Sequence, residues 1–438
     1  MDQNTLIKTA QQILDTTTKL SKSLTDSDIA IPNDLNVGTT SGLWTTHNAE
    51  IEALRSKITG LSQNLGMLLE GPHGFLHEYV SVNWEHGALY TLLDHNVLEQ
   101  IPLNGSKIPI AELATRTGLP ADKLLRICRL VATVGIIREE TEGEFSHTAI
   151  SETLVKDQGY KSFIGFQTFE TRVASAHLAD SLRKPNPYWN EGQAAFELAW
   201  GMPMYDWHRE HPEKGKRFAQ AMQSVSKNLD AGNDMIIQWV KGSKGLQNGK
   251  SLHIVEIQGK TGAFSAELAT LYPNAEFEVQ DTSAELISRG KQTLDSELAS
   301  RVKFSQRDLF AIRKCDEVGD YTDNTVVFLL RGVLWSHGDE EVIALLRSFL
   351  PAMEHQGIKP IVLISDLVSP IWSTFESHVE RAFRRRDVTL TTMHNVKQRT
   401  STEWSQLLQS ADPNFKIQYQ ERHTSHSCRG LWEVQLEI

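Results

Sequence analysis

Two hydrophobic periodicities divide the chain. From position 252 onward, short β-branched runs at 252–257, 276–280, 302–305, 325–330 and 361–365 alternate with stretches of helical spacing. That alternation predicts an α/β unit built on a parallel, doubly wound sheet. The N-terminal half carries helical spacing instead. Residues 1–24 predict a helix, and 25–46, rich in Asp, Asn, Thr, Ser and Gly, a loop. Ile51, Leu54, Ile58, Leu61, Leu65 and Leu68 then step by three and four along one helical face. The stripe is too short for an independent coiled coil, and it fits either packing within the chain or a subunit interface.

Residues 84–154 carry the pattern of a winged helix. Helices are predicted at 84–98, 110–114 and 121–134, with Thr117-Gly118-Leu119-Pro120 as a turn and Gly135 closing the third helix. Two short strands at 136–139 and 143–146 would form the wing. Such a domain raises the question of DNA. The third helix, however, presents Leu124, Leu125, Ile127, Leu130 and Val131, a face suited to burial, and the wing carries Glu139, Glu140, Glu142 and Glu144, which phosphates would repel. Residues 160–240 read as helical throughout and are dense in aromatic and Met side chains, most of them ordinary core.

Composition sharpens this picture. A chain of 438 residues exceeds one ordinary core and predicts more than one domain. We divide it into a helical extension at 1–70, a winged-helix-like domain at 71–160, a helical region at 161–240 and an α/β domain at 241–438. The net charge of −11 and the lack of a dense basic tract argue against nucleic acid and anionic membranes as partners. Cys128, Cys315 and Cys428 are widely spaced, which predicts reduced thiols and no metal site. The start of the chain has no basic-then-apolar leader, and no run approaches membrane-spanning length, so the expected location is the cytoplasm.

The candidate chemistry gathers at the ends of the predicted strands. The first strand runs into Glu256-Ile257-Gln258-Gly259-Lys260-Thr261-Gly262 and then a helix. Asp281 closes the second strand, Arg307-Asp308-Leu309-Phe310 follows the third, and Arg331-Gly332-Val333-Leu334-Trp335-Ser336-His337-Gly338-Asp339-Glu340-Glu341 follows the fourth. This last segment resembles the Arg-x-x-Leu-His-Asp-Trp-x-Asp-Glu stretch of plant and fungal small-molecule O-methyltransferases that use S-adenosylmethionine. The resemblance runs from about residue 84 to the C-terminus and includes Phe145-x-x-Thr148-x-x-Ser151-x-x-Leu154, Phe196-Glu197-Leu198-Ala199-Trp200-Gly201, Phe218-Ala219-Gln220-Ala221-Met222 and Gly430-Leu431-Trp432-Glu433-Val434.

The resemblance implies a homodimer whose C-terminal Rossmann-like domain holds the cofactor through Gly259, Gly262, Asp281, Asp308 and Leu309. It implies an acceptor pocket that includes Trp200, Phe218, Met222, Met393 and Asn395, with His177 at a polar position facing the acceptor. The family's strand-to-helix loop reads Asp-x-Gly-Gly-Gly-x-Gly; here Gln258 and Lys260 replace two glycines. The family's general base is a His, and Trp335 occupies its place, where an indole cannot accept a proton near neutral pH. Of the two acidic residues that accompany that His, Asp366 is kept and the second becomes Gln398. His337 lies two positions beyond the base position.

A pocket that loses its base while keeping its shape suits a reaction driven by moulding and polarisation. The chain therefore resembles a fungal branch of O-methyltransferase-like pericyclases, which direct hetero-Diels–Alder or Alder-ene steps on quinone-methide intermediates of 2-pyridone polyketide pathways. On this expectation His337, Arg331 and His177 are the candidate hydrogen-bond donors, Trp335 is a pocket wall, Asp366 orients a donor and Gln398 completes the set. The alternative is an O-methyltransferase of a small phenolic or polyketide metabolite, and a non-catalytic partner subunit is the third reading. Whether S-adenosylmethionine binds stays open at this point, and no metal is expected.

Overall fold

The computed structural model describes residues 4–46, 48–183, 193–228, 232–242, 252–313, 325–354, 360–423 and 428–437. Cys315 lies outside them. The chain divides into two compact units, one of residues 1–228 with 376–381, the other of 229–375 with 382–438.

In the first unit, α1 (Thr5–Asp26) packs on the beginning of α2 (Ala49–Asp94). Leu20, Leu24 and Ile51 form the buried seam, with Leu54 and Ile58 against it. The apolar stripe read from the sequence therefore starts under α1, yet Leu68 at its far end is 54% exposed. The helix expected to begin at 84 is instead the last part of α2, whose only break is at Gly71. There φ is 67°, and Pro72 follows, which can offer no amide hydrogen to the ladder.

The next segment builds a small core from α3 (Ile110–Thr117), α4 (Ala121–Thr133) and a three-stranded sheet in the order β1-β3-β2, with β1 Ile108–Pro109, β2 Ile137–Thr141 and β3 Glu144–His147. Phe145 and Leu154 are buried in it. Thr148 caps the following helix in a reciprocal box with Ser151, which explains the spacing of that motif. His147 is held between the Ser151 hydroxyl at 2.8 Å and the Ile101 carbonyl at 3.1 Å, and burial pushes its imidazole pKa down. The loop after α1 docks on this domain: Ala149 N–H donates to the Leu35 carbonyl at 2.8 Å and Gly38 N–H to Glu152 at 2.7 Å. Further on, a π-helical turn at Gln167–Thr171 places Glu170, fully buried, beside Arg217 of α5 (Pro212–Asn228).

The second unit is an α/β domain around a seven-stranded sheet in the order β6-β5-β4-β7-β8-β10-β9. Its strands are β4 Leu252–Ile257, β5 Ala275–Asp281, β6 Val302–Gln306, β7 Thr325–Arg331, β8 Ile361–Leu367, β9 Phe415–His423 and β10 Cys428–Leu436. The first five pair in parallel, and β10 runs antiparallel to both β8 and β9. Every residue of β4 and β8 is buried, the signature of central strands covered on both faces. One face carries Ile254, Phe277, Val327, Leu329, Leu363 and Leu431 against helices that include α6 (Asn233–Gly242) and α7 (Ala263–Leu271). In β10, between β8 and β9, Gly430 must be glycine, because a Cβ there would come within 2.3 Å of the Trp432 ring. Later helices are α8 (Asp339–Arg347), α9 (Ser377–His394) and α10 (Ser401–Ala411). Strand order reverses between β4 and β7, so the loops after those strands open a crevice at the carboxyl edge.

Candidate active site

The loop after β4 keeps a left-handed course although two of its expected glycines are absent. φ is 54° at Gln258, 56° at Lys260 and 69° at Gly262. Side chains rarely adopt this region, at a cost of about 1–2 kcal/mol per residue. The reason lies in the bonds that hold the turn. Lys260 N–H donates to Asp281 Oδ2 at 3.0 Å, Gly259 N–H to the Gln280 carbonyl at 3.0 Å, and Gly262 N–H to the Gly259 carbonyl at 2.9 Å. Gly259 and Gly262 are sterically required, since a Cβ would stand 2.8 Å from Val279 Cγ1 at the first and 2.9 Å from Phe304 at the second.

Asp281, at the end of β5, is buried and also accepts the Ser283 N–H through Oδ1 at 2.8 Å. Each of its oxygens thus holds one backbone hydrogen and retains a second lone pair for a ribose hydroxyl. Asp308 turns the chain after β6, its Oδ1 accepting from Phe310 N–H at 2.8 Å, and Leu309 beside it is buried. The donor set and the left-handed loop fit a nucleoside cofactor with a carboxylate tail at the start of α7.

Arg331 ends β7 with its guanidinium held among neighbouring side chains. Its Nε reaches Glu256 Oε1 at 3.2 Å, its guanidinium lies 4.6 Å over the Phe264 ring, and Nη1 is 3.4 Å from Asn233 Oδ1. Glu256, fully buried, also accepts from Ser265 Oγ at 2.6 Å. Arg331 is therefore neutralised within the cofactor side of the crevice.

After Gly332 (φ 63°) the chain makes a single tight turn, Leu334–Ser336, that carries Trp335 and is followed directly by His337. The indole N–H of Trp335 is used by the Gly332 carbonyl at 3.0 Å, so Trp335 presents a ring and no donor. His337 Nδ1 lies 3.1 Å from the Val333 carbonyl. A carbonyl only accepts, so this bond is made by the tautomer with its hydrogen on Nδ1 and a lone pair on Nε2; the Ser336 hydroxyl is 3.4 Å from the same Nδ1. Among the described residues Nε2 has no hydrogen-bond partner, and the Phe310 ring stands edge-on at 6.0 Å.

Asp366 is bonded to the backbone: Oδ2 accepts the N–H of Leu334 at 2.9 Å and of Trp335 at 3.2 Å, and Oδ1 that of Leu367 at 2.7 Å. It fixes the turn. Burial pushes its pKa up against those bonds. From the other side Arg399, 2% exposed, donates to the carbonyls of Leu334 at 3.2 Å and His337 at 2.7 Å while pairing with Asp339 at 2.7 Å. Gln398 is 6% exposed, and among the described residues neither its amide oxygen nor its nitrogen has a partner.

Met393 is buried near the end of α9. Asn395 is exposed and follows the end of that helix at φ 55°. His394, which the sequence reading passed over, is close enough to His337 for the two to interact. Burial and that neighbour push its pKa down to about 4. Glu256 and Arg399 were also overlooked. Nothing in their local sequence marks them, because their partners are 75 and 65 positions away.

The remaining candidates belong to the first unit. Phe218 stacks on His208 at 4.8 Å and packs on Phe166 at 5.1 Å; Trp200 lies 4.7 Å from Trp207. The Trp200 indole nitrogen is buried, and among the described residues it lacks a partner. Met222 is half-buried in α5. His177 sits 3.8 Å from Asp180 on a half-exposed turn. Among the described residues no three His, Cys, Asp or Glu are grouped to hold a metal ion, and no helix is long and apolar enough to cross a membrane.

Residues 176–413 match the O-methyltransferase domain family. O-methyltransferase phnC of Penicillium herquei is 94% identical over 417 residues, covering 95% of this chain and 97% of its own. Among solved structures, OxaC in complex with SAH and oxaline superposes with a TM-score of 0.72 at 18% identity, covering 99% of both chains. A structure described as a pericyclic reaction enzyme superposes with a TM-score of 0.65 at 17% identity, over 90% of this chain and 96% of that one. At such identities the last two show the fold alone.

Proposed function

The chain belongs to the O-methyltransferase family, and from that premise we propose that it methylates a hydroxyl of a small phenolic or polyketide metabolite using S-adenosylmethionine. The observation that carries this reading is the loop at 256–262, which keeps its left-handed course at Gln258 and Lys260 by anchoring Lys260 N–H on Asp281. Replacing two glycines has changed the side chains there while the backbone course is retained. Asp281 would take the ribose hydroxyls, Asp308 and Leu309 the adenine, and the start of α7 the carboxylate. When bound, the cofactor supplies a methyl group whose bond to sulfur breaks as the bond to the acceptor oxygen forms. The name of the Penicillium herquei relative supports the same chemistry.

Trp335 favours the second reading, a stereoselective pericyclase of a polyketide substrate that needs no base. An imidazole on the same turn, with an open Nε2, weighs toward methyl transfer. The separating experiment incubates the purified protein with methyl-labelled S-adenosylmethionine and a panel of polyphenols, alongside calorimetry for cofactor binding. Labelled ether product supports the first reading. Binding without transfer, together with cyclisation of a polyene quinone methide, supports the second.

We also propose that the protein works as a homodimer. Leu69, Leu76, Tyr79, Val80 and Trp84 of α2 are 59–70% exposed, an apolar stretch larger than single scattered surface residues would give. A second copy of the chain is the occupant the family resemblance implies. Sedimentation of the wild type against a Tyr79→Glu, Trp84→Glu double variant tests it, with a dimer expected only for the wild type.

A further inference from the structure

We propose that His337 is the general base of this site, displaced by two residues from the family's position and presented by the clamped turn between Asp366 and Arg399. The inference rests on the methyl-transfer reading and names the group that reading lacks.

Proton abstraction needs a lone pair, a fixed direction and freedom from competing partners. The Val333 carbonyl supplies the first two, because its hydrogen bond at 3.1 Å holds the hydrogen on Nδ1 and orients the ring. The turn itself is fixed from both sides. Asp366 takes the two amide hydrogens entering it, and Arg399 donates to the carbonyls at its start and end. A two-residue shift along a regular helix would swing a side chain by about 200°. This segment is a single 3-10 turn that ends before His337, whose backbone is extended (φ −116°, ψ 147°), so the helical rotation does not apply. The imidazole thus leaves the turn in its own direction.

The charged and titratable groups around the turn are themselves neutral or paired. His394 approaches from the end of α9 and is held neutral by burial, so it adds no positive charge near neutrality. Arg399 is neutralised by Asp339, and Lys397 pairs with Asp339 at 3.6 Å and Glu403 at 2.9 Å. Asp366 lies beneath the turn. In the step, the acceptor O–H bond breaks, its hydrogen passes to Nε2, and the electron pair stays on oxygen as the nucleophile. The imidazolium returns the proton to solvent after the ether forms.

Two measurements test this. In the first, methyl transfer is followed for the wild type and H337Q, with cofactor affinity read by calorimetry. H337Q is expected to lose about 100- to 10,000-fold in kcat and to keep its affinity for S-adenosylhomocysteine. In the second, histidine-selective 15N spectra of the wild type report the tautomer without turnover. The expected result is hydrogen on Nδ1 of His337 at neutral pH. Transfer by H337Q at the wild-type rate, or hydrogen on Nε2 in the wild type, overturns the assignment of the base and leaves the methyl-transfer reading standing. A wild type that binds the cofactor and methylates no acceptor overturns the reading, and the base with it.

Discussion

The carboxylate of Asp366 lies under Trp335 and accepts its backbone N–H at 3.2 Å, so the residue kept from the catalytic set holds the residue that was replaced. Three amide hydrogens converge on this one side chain, which is fully buried. An Asn amide would have to set its NH2 against at least one of those N–H groups. Asp366→Asn is therefore expected to destabilise the α/β unit by about 1–3 kcal/mol, read by urea unfolding. It should also broaden or shift the 15N resonances of His337, a change that a loss of global stability alone does not produce below the transition.

His394 makes part of the stability depend on pH. Its pKa falls from about 6.5 in an unfolded chain to about 4 in the fold. Between those values the unfolded chain binds a proton that the folded one refuses, so stability rises with pH across that window and is lost as pH falls through it. The full difference is about 3 kcal/mol by linkage. His394→Phe removes this term. Denaturant midpoints at pH 7 and pH 4.5 should differ less in the variant than in the wild type; equal differences would show that His394 is not buried as neutral imidazole.

Glu170 and Arg217 form an ion pair inside the first unit, with Arg217 5.7 Å over the Tyr90 ring. Burial pushes the Glu170 pKa up despite the guanidinium. A group raised in this way stabilises most at low pH and loses that contribution as pH rises through its folded pKa. Arg217→Met leaves a buried carboxylate without its partner and should cost about 3–5 kcal/mol at pH 8. The Glu170→Gln, Arg217→Met double variant should recover most of that loss, and the cycle read by thermal unfolding isolates the pair.

The loop after β4 contains opposite responses to a single methyl group. Lys260 occupies a left-handed conformation at φ 56°, so Lys260→Gly relieves strain of about 1–2 kcal/mol while raising unfolded-chain entropy by a similar or smaller amount. Its net effect should lie within about 1 kcal/mol of zero. Gly262→Ala combines φ 69° with a Cβ 2.9 Å from both Phe304 and Val279, and should cost several times more. Calorimetry with S-adenosylhomocysteine should show affinity kept in the first variant and lost in the second.

The strand alternation from 252 to 365 was legible because buried parallel strands need continuous apolar runs, and β4 to β8 fall where those runs lie. Asp281 was legible for the same reason, as the polar residue at the end of one. The two replaced glycines were legible, but the amide that holds Lys260 to Asp281 was not, because sequence reports the side chain and not the backbone bond. Asp366 was legible as a kept carboxylate, but its backbone partners were not, since spacing cannot say whether a carboxylate meets a side chain or a backbone. His394 and Arg399 act through partners brought in by tertiary folding, at a helix end and a loop whose local patterns look ordinary. The long α2 was split in the sequence reading because its exposed apolar stretch hides the helical period.

Trp335→His puts an imidazole back at the family's base position and asks whether the site was waiting for one. Were the pocket without a base, this change should raise methyl transfer by about 100-fold or more, the usual worth of general-base assistance. With His337 already in that role, the added ring competes for the same hydroxyl and the rate should stay within about threefold of the wild type. The substitution also removes a large ring and the indole bond to the Gly332 carbonyl at 3.0 Å, so if the indole walls the acceptor pocket, as the family resemblance implies, KM should rise even where kcat does not. The Trp335→His, His337→Gln double variant then reports on position alone. Its recovery above His337→Gln measures how far an imidazole at position 335 reaches the acceptor, and no recovery at all would show that this turn does not point position 335 at the reacting oxygen.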